Sequence, residues 1–205
     1  MAPRSRESSD AVRAASRARI LAAARVLFAD RGFAACRVAD IARAAAMSPA
    51  NVYWHFESKE AILRTVLAEG FAHREEMTAG VEAEYGPARR KLRILVERTI
   101  AFYAANLEFA VILGGLRGEG GLELVASLGL DLPEVERRSQ ANLRRVFAEA
   151  RSEGAVEPAD PDLLVALYLA FFDGLVVTRC DLWTSLSAEV LRDAALRLVG
   201  HRPVG

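Results

Sequence analysis

Apolar residues recur at helical spacing along this chain, and no strand signal interrupts them. The polar segment 1–13 is predicted to form a flexible arm, and the first helix is predicted from Ala14 to a stop at Gly32. The apolar face of this helix consists of residues at i, i+4, i+7 and i+8, namely Ile20, Ala24, Leu27 and Phe28. The pattern as a whole therefore predicts an all-α fold.

Two short helices with a tight turn between them follow. The second helix is predicted from its apolar residues Val38, Ile41, Ala42 and Ala45. Ser48 is a good N-cap and Pro49 suits the first position of a third helix. Burial of Val52 and Phe56 would turn the polar side of that helix outward. This order of elements is typical of a helix-turn-helix, whose last helix enters the DNA major groove.

The remaining chain is predicted to form a larger helical body, opened by a helix that Ser58 can cap. The run Leu163–Phe172 is apolar on every side but spans about half of the roughly 20 residues needed to cross a bilayer. A helix that is apolar all round must be covered all round. We therefore expect no membrane span, and a homodimer through Pro133–Glu153 and Asp160–Arg179. The predicted domains are 14–60 and 61–205.

Charge is distributed unevenly, although 27 basic and 27 acidic residues balance overall. Residues 1–60 carry ten Lys or Arg against six Asp or Glu, which leaves seventeen against twenty-one in residues 61–205. A basic module on a slightly acidic body suits a nucleic-acid-binding domain, although chance unevenness would give the same balance. The amino terminus has no apolar stretch typical of a secretory signal, so we expect a cytoplasmic protein.

The residues of the first third carry a specific family resemblance over about residues 17–65. They are Ile20-Leu21-Ala22-Ala23-Ala24, Leu27-Phe28-Ala29, Gly32-Phe33, Val38-Ala39-Asp40-Ile41-Ala42 and Val52-Tyr53-Trp54-His55-Phe56-Glu57-Ser58-Lys59-Glu60-Ala61. This block resembles the amino-terminal domain of the TetR family of bacterial transcriptional regulators. The resemblance implies a homodimer that binds palindromic operator DNA, more often as a repressor than as an activator, and that a small molecule releases.

Two positions depart from the family pattern. Ala46 stands in the turn where glycine is usual, so a positive φ there would cost about 1 kcal/mol. Cys36 and Arg37 stand where threonine or serine is common, so the second helix lacks a hydroxyl cap at its start. Arg37 remains long enough to reach a phosphate.

The predicted DNA-binding residues lie on and around the third helix. Ala50 and Asn51 are assigned to base edges, because Asn pairs with adenine and Ala touches a thymine methyl. The resemblance assigns Tyr53, His55 and Lys59 to phosphates, whereas burial of Tyr53 and Trp54 in the core and a spectator role for His55 are the alternatives. The full predicted set is Arg37, Ser48, Pro49, Ala50, Asn51, Tyr53, Trp54, His55 and Lys59.

The helical body is predicted to hold an unidentified effector that is small and apolar or aromatic. A pocket needs an apolar lining with a few polar groups, although aromatic residues at helical spacing also form ordinary cores. The candidate lining is Phe102, Tyr103, Asn106, Phe109, Arg117, Tyr168, Phe172 and Trp183, beside the glycine-rich segment 114–121, which we expect to be mobile.

No catalytic motif, cofactor motif or metal-ligand spacing is present in the sequence. We therefore predict a ligand-responsive transcriptional regulator and no enzyme. A helical enzyme or carrier that never touches DNA is the first alternative, but it leaves the charge polarity and the block around Trp54 unexplained. A protein-interaction module without a cavity is the second.

Overall fold

The computed structural model describes residues 3–118, 120–178 and 180–200. Within these ranges the chain is helical and contains no strand, as predicted. The helices are α1 (Pro3–Ala35), α2 (Val38–Ala44), α3 (Pro49–His55), α4 (Lys59–Glu82), α5 (Ala88–Ala105), α6 (Leu107–Gly115), α7 (Gly121–Ser127), α8 (Leu132–Ser152), α9 (Pro161–Asp173), α10 (Cys180–Ser185) and α11 (Ala188–Leu198), with a π-helical turn at Gly174–Thr178.

Helix α1 begins earlier than the sequence pattern indicates. It starts at Pro3, so most of the segment expected to be a flexible arm is helical. Proline at a first helical position supports such a start, since its missing N–H has no partner there. The helix is interrupted where expected, at Gly32, whose φ of 77° and ψ of 159° are not helical.

The turn between α2 and α3 has a left-handed residue at Ala46, the position where glycine is usual in the family pattern. Ala46 has a φ of 53°, and among the described residues no other non-glycine has a positive φ. The turn is a Schellman motif, because the N–H of Ala46 donates to Arg43 at 3.1 Å and that of Met47 to Ala42 at 2.9 Å. Arg19 of α1 donates to the carbonyl oxygens of Ala45 and Ala46, which fixes the turn against α1.

The chain divides into two compact units. The first contains the described residues up to Glu69 together with Gly115–Leu130, and the second contains Gly70–Gly114 and the described residues from Asp131 onward. The boundary that the sequence placed at residue 60 therefore moves into α4, which supplies residues to both units. Helix α7 belongs to the first unit, although the chain on either side of its segment belongs to the second.

The second unit has an aromatic core. Tyr168 and Phe172 of α9 are fully buried, and their rings lie 5.0 Å apart. The hydroxyl of Tyr168 donates to Thr99 at 2.6 Å, which satisfies its polar end inside the core. By length and composition alone, Pro161–Thr178 could also cross a bilayer. Buried core helices meet the same criteria, and the inward side of α9 is built into this core.

Candidate DNA-binding and effector sites

Helix α3 is held by two apolar residues and presents its other residues to solvent. Val52 and Phe56 are buried, as predicted. Tyr53 and Trp54 are 55% and 63% exposed, so neither is a core aromatic in this chain. Ala50 and Asn51 are also exposed. A short helix that is anchored on one side and polar and aromatic on the other is suited to enter a DNA groove.

The caps predicted around α3 are present. The Ser48 hydroxyl accepts from the backbone N–H of Asn51 at 3.2 Å, and Pro49 occupies the first helical position. This bond orders the first turn of α3, where the predicted base-reading residues lie, and the Asn51 side chain stays outward. Ser58 accepts in the same way from Ala61 at 3.1 Å, and so begins α4.

Helix α2 has no hydroxyl cap at its start, and the Asp40 side chain takes over part of that role. The Asp40 carboxylate accepts from the backbone N–H of Arg37 at 3.3 Å, and so satisfies one amide at the helix start. Asp40 also pairs with Arg43. The Arg37 side chain is exposed, in keeping with the phosphate contact that was predicted for it.

Lys59 is directed into the protein. Its ammonium donates to the carbonyl oxygens of Phe33 at 2.7 Å and Cys36 at 2.8 Å, and it lies 4.1 Å from the centre of the Phe33 ring. These carbonyls lie at the end of α1 and just before α2. The sequence did not reveal this bond, because its partners are 26 and 23 residues away.

Arginines of α1 surround the end of α3. The Arg13 guanidinium lies 4.6 Å from the centre of the Trp54 ring, and that of Arg17 lies 4.1 Å from the Phe56 ring. Arg17 also donates to the carbonyl oxygen of His55 at 3.3 Å. Partial burial and the charges of these two arginines lower the pKa of His55 below its usual value. Neither arginine was predicted from the sequence to be part of the site.

Six of the eight predicted effector residues form one aromatic cluster in the second unit. The Tyr103 ring stacks on Phe172 with centroids 5.8 Å apart and an interplanar angle of 8°. Trp183 lies edge-on to Tyr103 at 5.9 Å. The other contacts link Phe102 to Phe109 and Tyr168 to Phe172, and Phe71 of α4 joins the cluster through Phe109 at 5.3 Å.

Polar groups lie within this aromatic cluster. The Tyr103 hydroxyl donates to Asp173 at 2.6 Å, and burial together with that carboxylate raises the pKa of Tyr103 well above its usual value. Arg74 is buried with its guanidinium 5.2 Å from the Phe71 ring, and its charge acts on Tyr103 in the opposite direction. Asp173 and Arg74 were not predicted as site residues, because Asp173 meets its partner Tyr103 across 70 residues of sequence and Arg74 stands among other charged residues.

Two predicted effector residues lie elsewhere or are otherwise engaged. Asn106 follows α5 and donates to the carbonyl oxygen of Phe102 at 2.9 Å. Arg117 is exposed and belongs to the first unit, so the structure does not group it with the aromatic cluster. In the same segment, a Cβ on Gly121 would lie 2.1 Å from the carbonyl oxygen of Leu116, so close backbone packing requires glycine there.

Comparison with known proteins identifies the first third of the chain. Residues 20–66 match the model of a family described as bacterial regulatory proteins, tetR family. The transcriptional regulator UidR of Escherichia coli is 39% identical over 54 residues, a match that spans 26% of this chain and 28% of UidR. The transcriptional repressor DhaR of a Mycobacterium species is 26% identical over 165 residues, which are 74% of this chain and 75% of DhaR.

A solved structure of similar fold extends the comparison to the body. The transcriptional regulator FadR from Bacillus subtilis, crystallised in complex with stearoyl-CoA, superposes with a TM-score of 0.69 at 23% identity. The superposition covers 88% of this chain and 96% of that one. Among the described residues of this chain, no group of three or more His, Cys, Asp or Glu side chains is placed to hold a metal ion.

Proposed function

Since the chain belongs to the TetR family of bacterial regulatory proteins, we propose that it is a homodimeric, cytoplasmic repressor that a small molecule releases from a palindromic operator. The observation that supports DNA reading most directly is the exposed face of α3, anchored from beneath by Val52 and Phe56. A helical enzyme or carrier that never touches DNA would have no use for this face.

The proposed DNA contacts divide by chemistry. Ala50 and Asn51 read base edges in the major groove, and their exposure leaves them available for this role. Tyr53, His55 and the exposed Arg37 bind phosphates, which position the helix without reading sequence. Trp54 stands beside them on the same helix. The hydroxyl cap by Ser48 keeps the reading turn of α3 ordered before DNA arrives, so less conformational entropy is lost on binding.

The proposed dimer uses an exposed apolar stripe on α9. Four apolar residues at i, i+3, i+4 and i+7 of this helix are exposed: Leu163, Ala166, Leu167 and Ala170. Contiguous apolar surface of this kind marks an interaction site, and a second copy of the same helix meets it symmetrically. The proposed interface combines α8 with α9 and the π-helical turn. Arg179, at the predicted end of the interface, lies outside the described residues.

The proposed effector site is the aromatic cluster in the second unit. Its rings supply apolar surface, and Tyr103 with Asp173 supplies a polar pair that can orient a ligand. FadR from Bacillus subtilis, whose fold is similar, was crystallised in complex with stearoyl-CoA, a ligand that carries a long apolar acyl chain. We infer an apolar or aromatic effector for this chain.

The proposed coupling is a shift of population between two states of the dimer. The effector must bind the state that does not fit the operator more tightly, and the operator then weakens effector binding by the same factor. Helix α4 is the continuous element available for this coupling, because it carries Lys59 and Thr65 in the first unit and Phe71 and Arg74 in the second.

Selection of duplexes from a randomised pool, followed by genomic footprinting, tests the DNA-binding proposal. We expect a palindrome whose half-sites lie about 10 base pairs apart or a multiple of that. Asn51→Ala should reduce discrimination at defined base pairs by about 1–3 kcal/mol while binding to mixed-sequence DNA persists. Recovery of no enriched sequence with the folded dimer would overturn the proposal.

A thermal-shift screen of hydrophobic metabolites tests the effector proposal. A ligand at 100 times its Kd should stabilise the fold by about 2.7 kcal/mol, and so raise Tm. The same compound should release the operator. Phe172→Ala should abolish the thermal shift, whereas Leu122→Ala, at an exposed site in the first unit, should leave it unchanged. A hit that stabilises both variants equally would place the effector elsewhere.

A further inference from the structure

A row of arginines lies beside the recognition helix, on elements that are not part of the helix-turn-helix pair α2 and α3. Arg13 and Arg17 stand one turn apart on α1, and Arg64 stands on α4. All three side chains are exposed. We call Arg13, Arg17 and Arg64 the basic edge.

Two residues of the basic edge, Arg13 and Arg17, are held in place by contacts to the residues of and beside α3 and to α4. Arg13 lies against Trp54, a ring that is itself exposed on α3, and Arg17 lies against Phe56. Arg17 donates two hydrogen bonds, one to the His55 carbonyl oxygen at 3.3 Å and one to the Thr65 hydroxyl at 3.4 Å. A guanidinium has five N–H donors, so Arg17 retains others for a partner.

A surface groove of about 470 Å³ continues from this edge. Its lining includes Arg17, Arg64 and His55, together with Glu57 and Glu69. Glu69 pairs with Arg25 of α1, so its charge is largely compensated. The charges of Arg13 and Arg17 already disfavour protonation of His55, which indicates positive potential at the carboxyl end of α3.

We propose that the basic edge binds the phosphate backbone bordering the major groove that α3 occupies. The basic edge adjoins the carboxyl end of α3. When α3 lies in the major groove, the phosphate backbone that borders the groove therefore comes next to the basic edge. Arginine suits this role, because its fork of donors matches phosphate oxygens. Lys59, by contrast, already donates to two carbonyl oxygens. The inference rests on the proposed DNA binding and adds three phosphate-binding residues to it.

The salt dependence of binding to mixed-sequence DNA tests this inference without knowledge of the operator. Phosphate contacts are independent of sequence, so a mixed-sequence duplex of three helical turns, roughly 30 base pairs, is a sufficient probe. Loss of one phosphate contact makes the slope of log K against log salt shallower by about 0.9, or by about 1.8 for a dimer. The ratio of wild-type to variant DNA affinity should therefore be about twelvefold smaller at 200 mM salt than at 50 mM salt for each Ala variant.

Arg25→Ala is the matched control, because it removes the same charge from the same helix at a residue paired with Glu69. Its slope should equal that of wild type, while Arg13→Ala and Arg64→Ala flatten the slope and Arg13→Lys restores it. Unchanged circular dichroism and Tm establish that each variant is folded. If the basic-edge variants match Arg25→Ala while wild type binds, the inference is wrong. If wild type itself binds no duplex, the proposed function fails instead.

Discussion

The ammonium group of Lys59 lies 2.7 Å from the carbonyl oxygen of Phe33, at the far end of the helix α1. A second carbonyl, that of Cys36, accepts from the same nitrogen at 2.8 Å. The first residue of α4 therefore ties down the connection between α1 and α2. This bond gives Lys59 a structural role that is separate from any contact with DNA.

Lys59→Met should destabilise the protein by about 1–3 kcal/mol, because two partly buried carbonyls lose their charged donor while the apolar stem is retained. Urea unfolding followed by circular dichroism measures this loss. Arg64→Met, an exposed cation on the same helix, should change the free energy of unfolding by less than about 0.5 kcal/mol. Equal effects in the two variants would show that the carbonyl bonds of Lys59 contribute nothing.

Ala46→Gly should stabilise the protein by about 1 kcal/mol, since glycine adopts a positive φ without the steric cost that alanine incurs. The midpoint of urea unfolding should rise with an unchanged m value. Ala44→Gly is the matched control, because it places glycine within the exposed side of α2 and should cost about 0.5–1 kcal/mol. A loss of stability in both variants would contradict strain at Ala46.

Operator affinity should rise as the pH falls from about 8 to about 6, provided that His55 contacts a phosphate. Partial burial and the nearby arginines lower the pKa of His55 in the free protein, and phosphates should raise it again, so binding takes up a proton. A difference of one pKa unit between DNA-bound and free His55 corresponds to about a tenfold change in operator affinity per subunit at low pH. Titrations of wild type and His55→Gln at several pH values measure this effect, and the variant should lose the dependence.

The stability of the free protein should change with pH in the opposite direction. Because the folded state depresses the pKa of His55, the unfolded state binds more protons, and stability is lost as the pH falls through about 6.5. His55→Gln should weaken this loss. Parallel pH trends in stability and affinity would indicate that another group, and not His55, controls operator binding.

Leu167→Arg should convert the proposed dimer into monomers, since a buried unpaired charge at the seam costs several kcal/mol. Leu167 is 38% exposed in the single chain, and Leu163 on the same stripe is 52% exposed. Light scattering at micromolar concentration measures the mass. Val26→Arg, at an exposed apolar residue of α1 in the first unit, should remain dimeric. A monomeric wild type would contradict the interface altogether.

Local chemistry accounts for the parts of the fold that could be predicted from the sequence. Ser48 and Ser58 cap their helices as expected, with Ser58 accepting from the N–H of Ala61 at 3.1 Å. The strained turn at Ala46 was also predictable, because the residue type and its position in the family pattern define it. Such features depend on neighbours within a few residues.

The parts of the candidate site that could not be predicted depend on distant partners. Arg13 reaches Trp54 and Lys59 reaches Phe33 only after α1, α3 and α4 have packed together. The early start of α1 could not be predicted, because the polar segment before Ala14 has no apolar spacing. The π-helical turn after α9 could not be predicted either, because apolar spacing does not distinguish π from α geometry.

The length of helix α4 has a mechanical consequence. It contains 24 residues without a break, which corresponds to a rod of about 36 Å. An intact ladder of backbone hydrogen bonds resists bending, and Phe71 lies about 18 Å along the helix from Lys59, so a tilt of about five degrees about Phe71 would move the Lys59 end by about 1.6 Å. A ligand that displaces a ring by a fraction of an ångström near Phe71 would thus move Lys59 by a larger distance. Helix-breaking substitutions such as Ala68→Pro should therefore disconnect effector binding from operator release, while the first unit still binds DNA and the second still binds the effector.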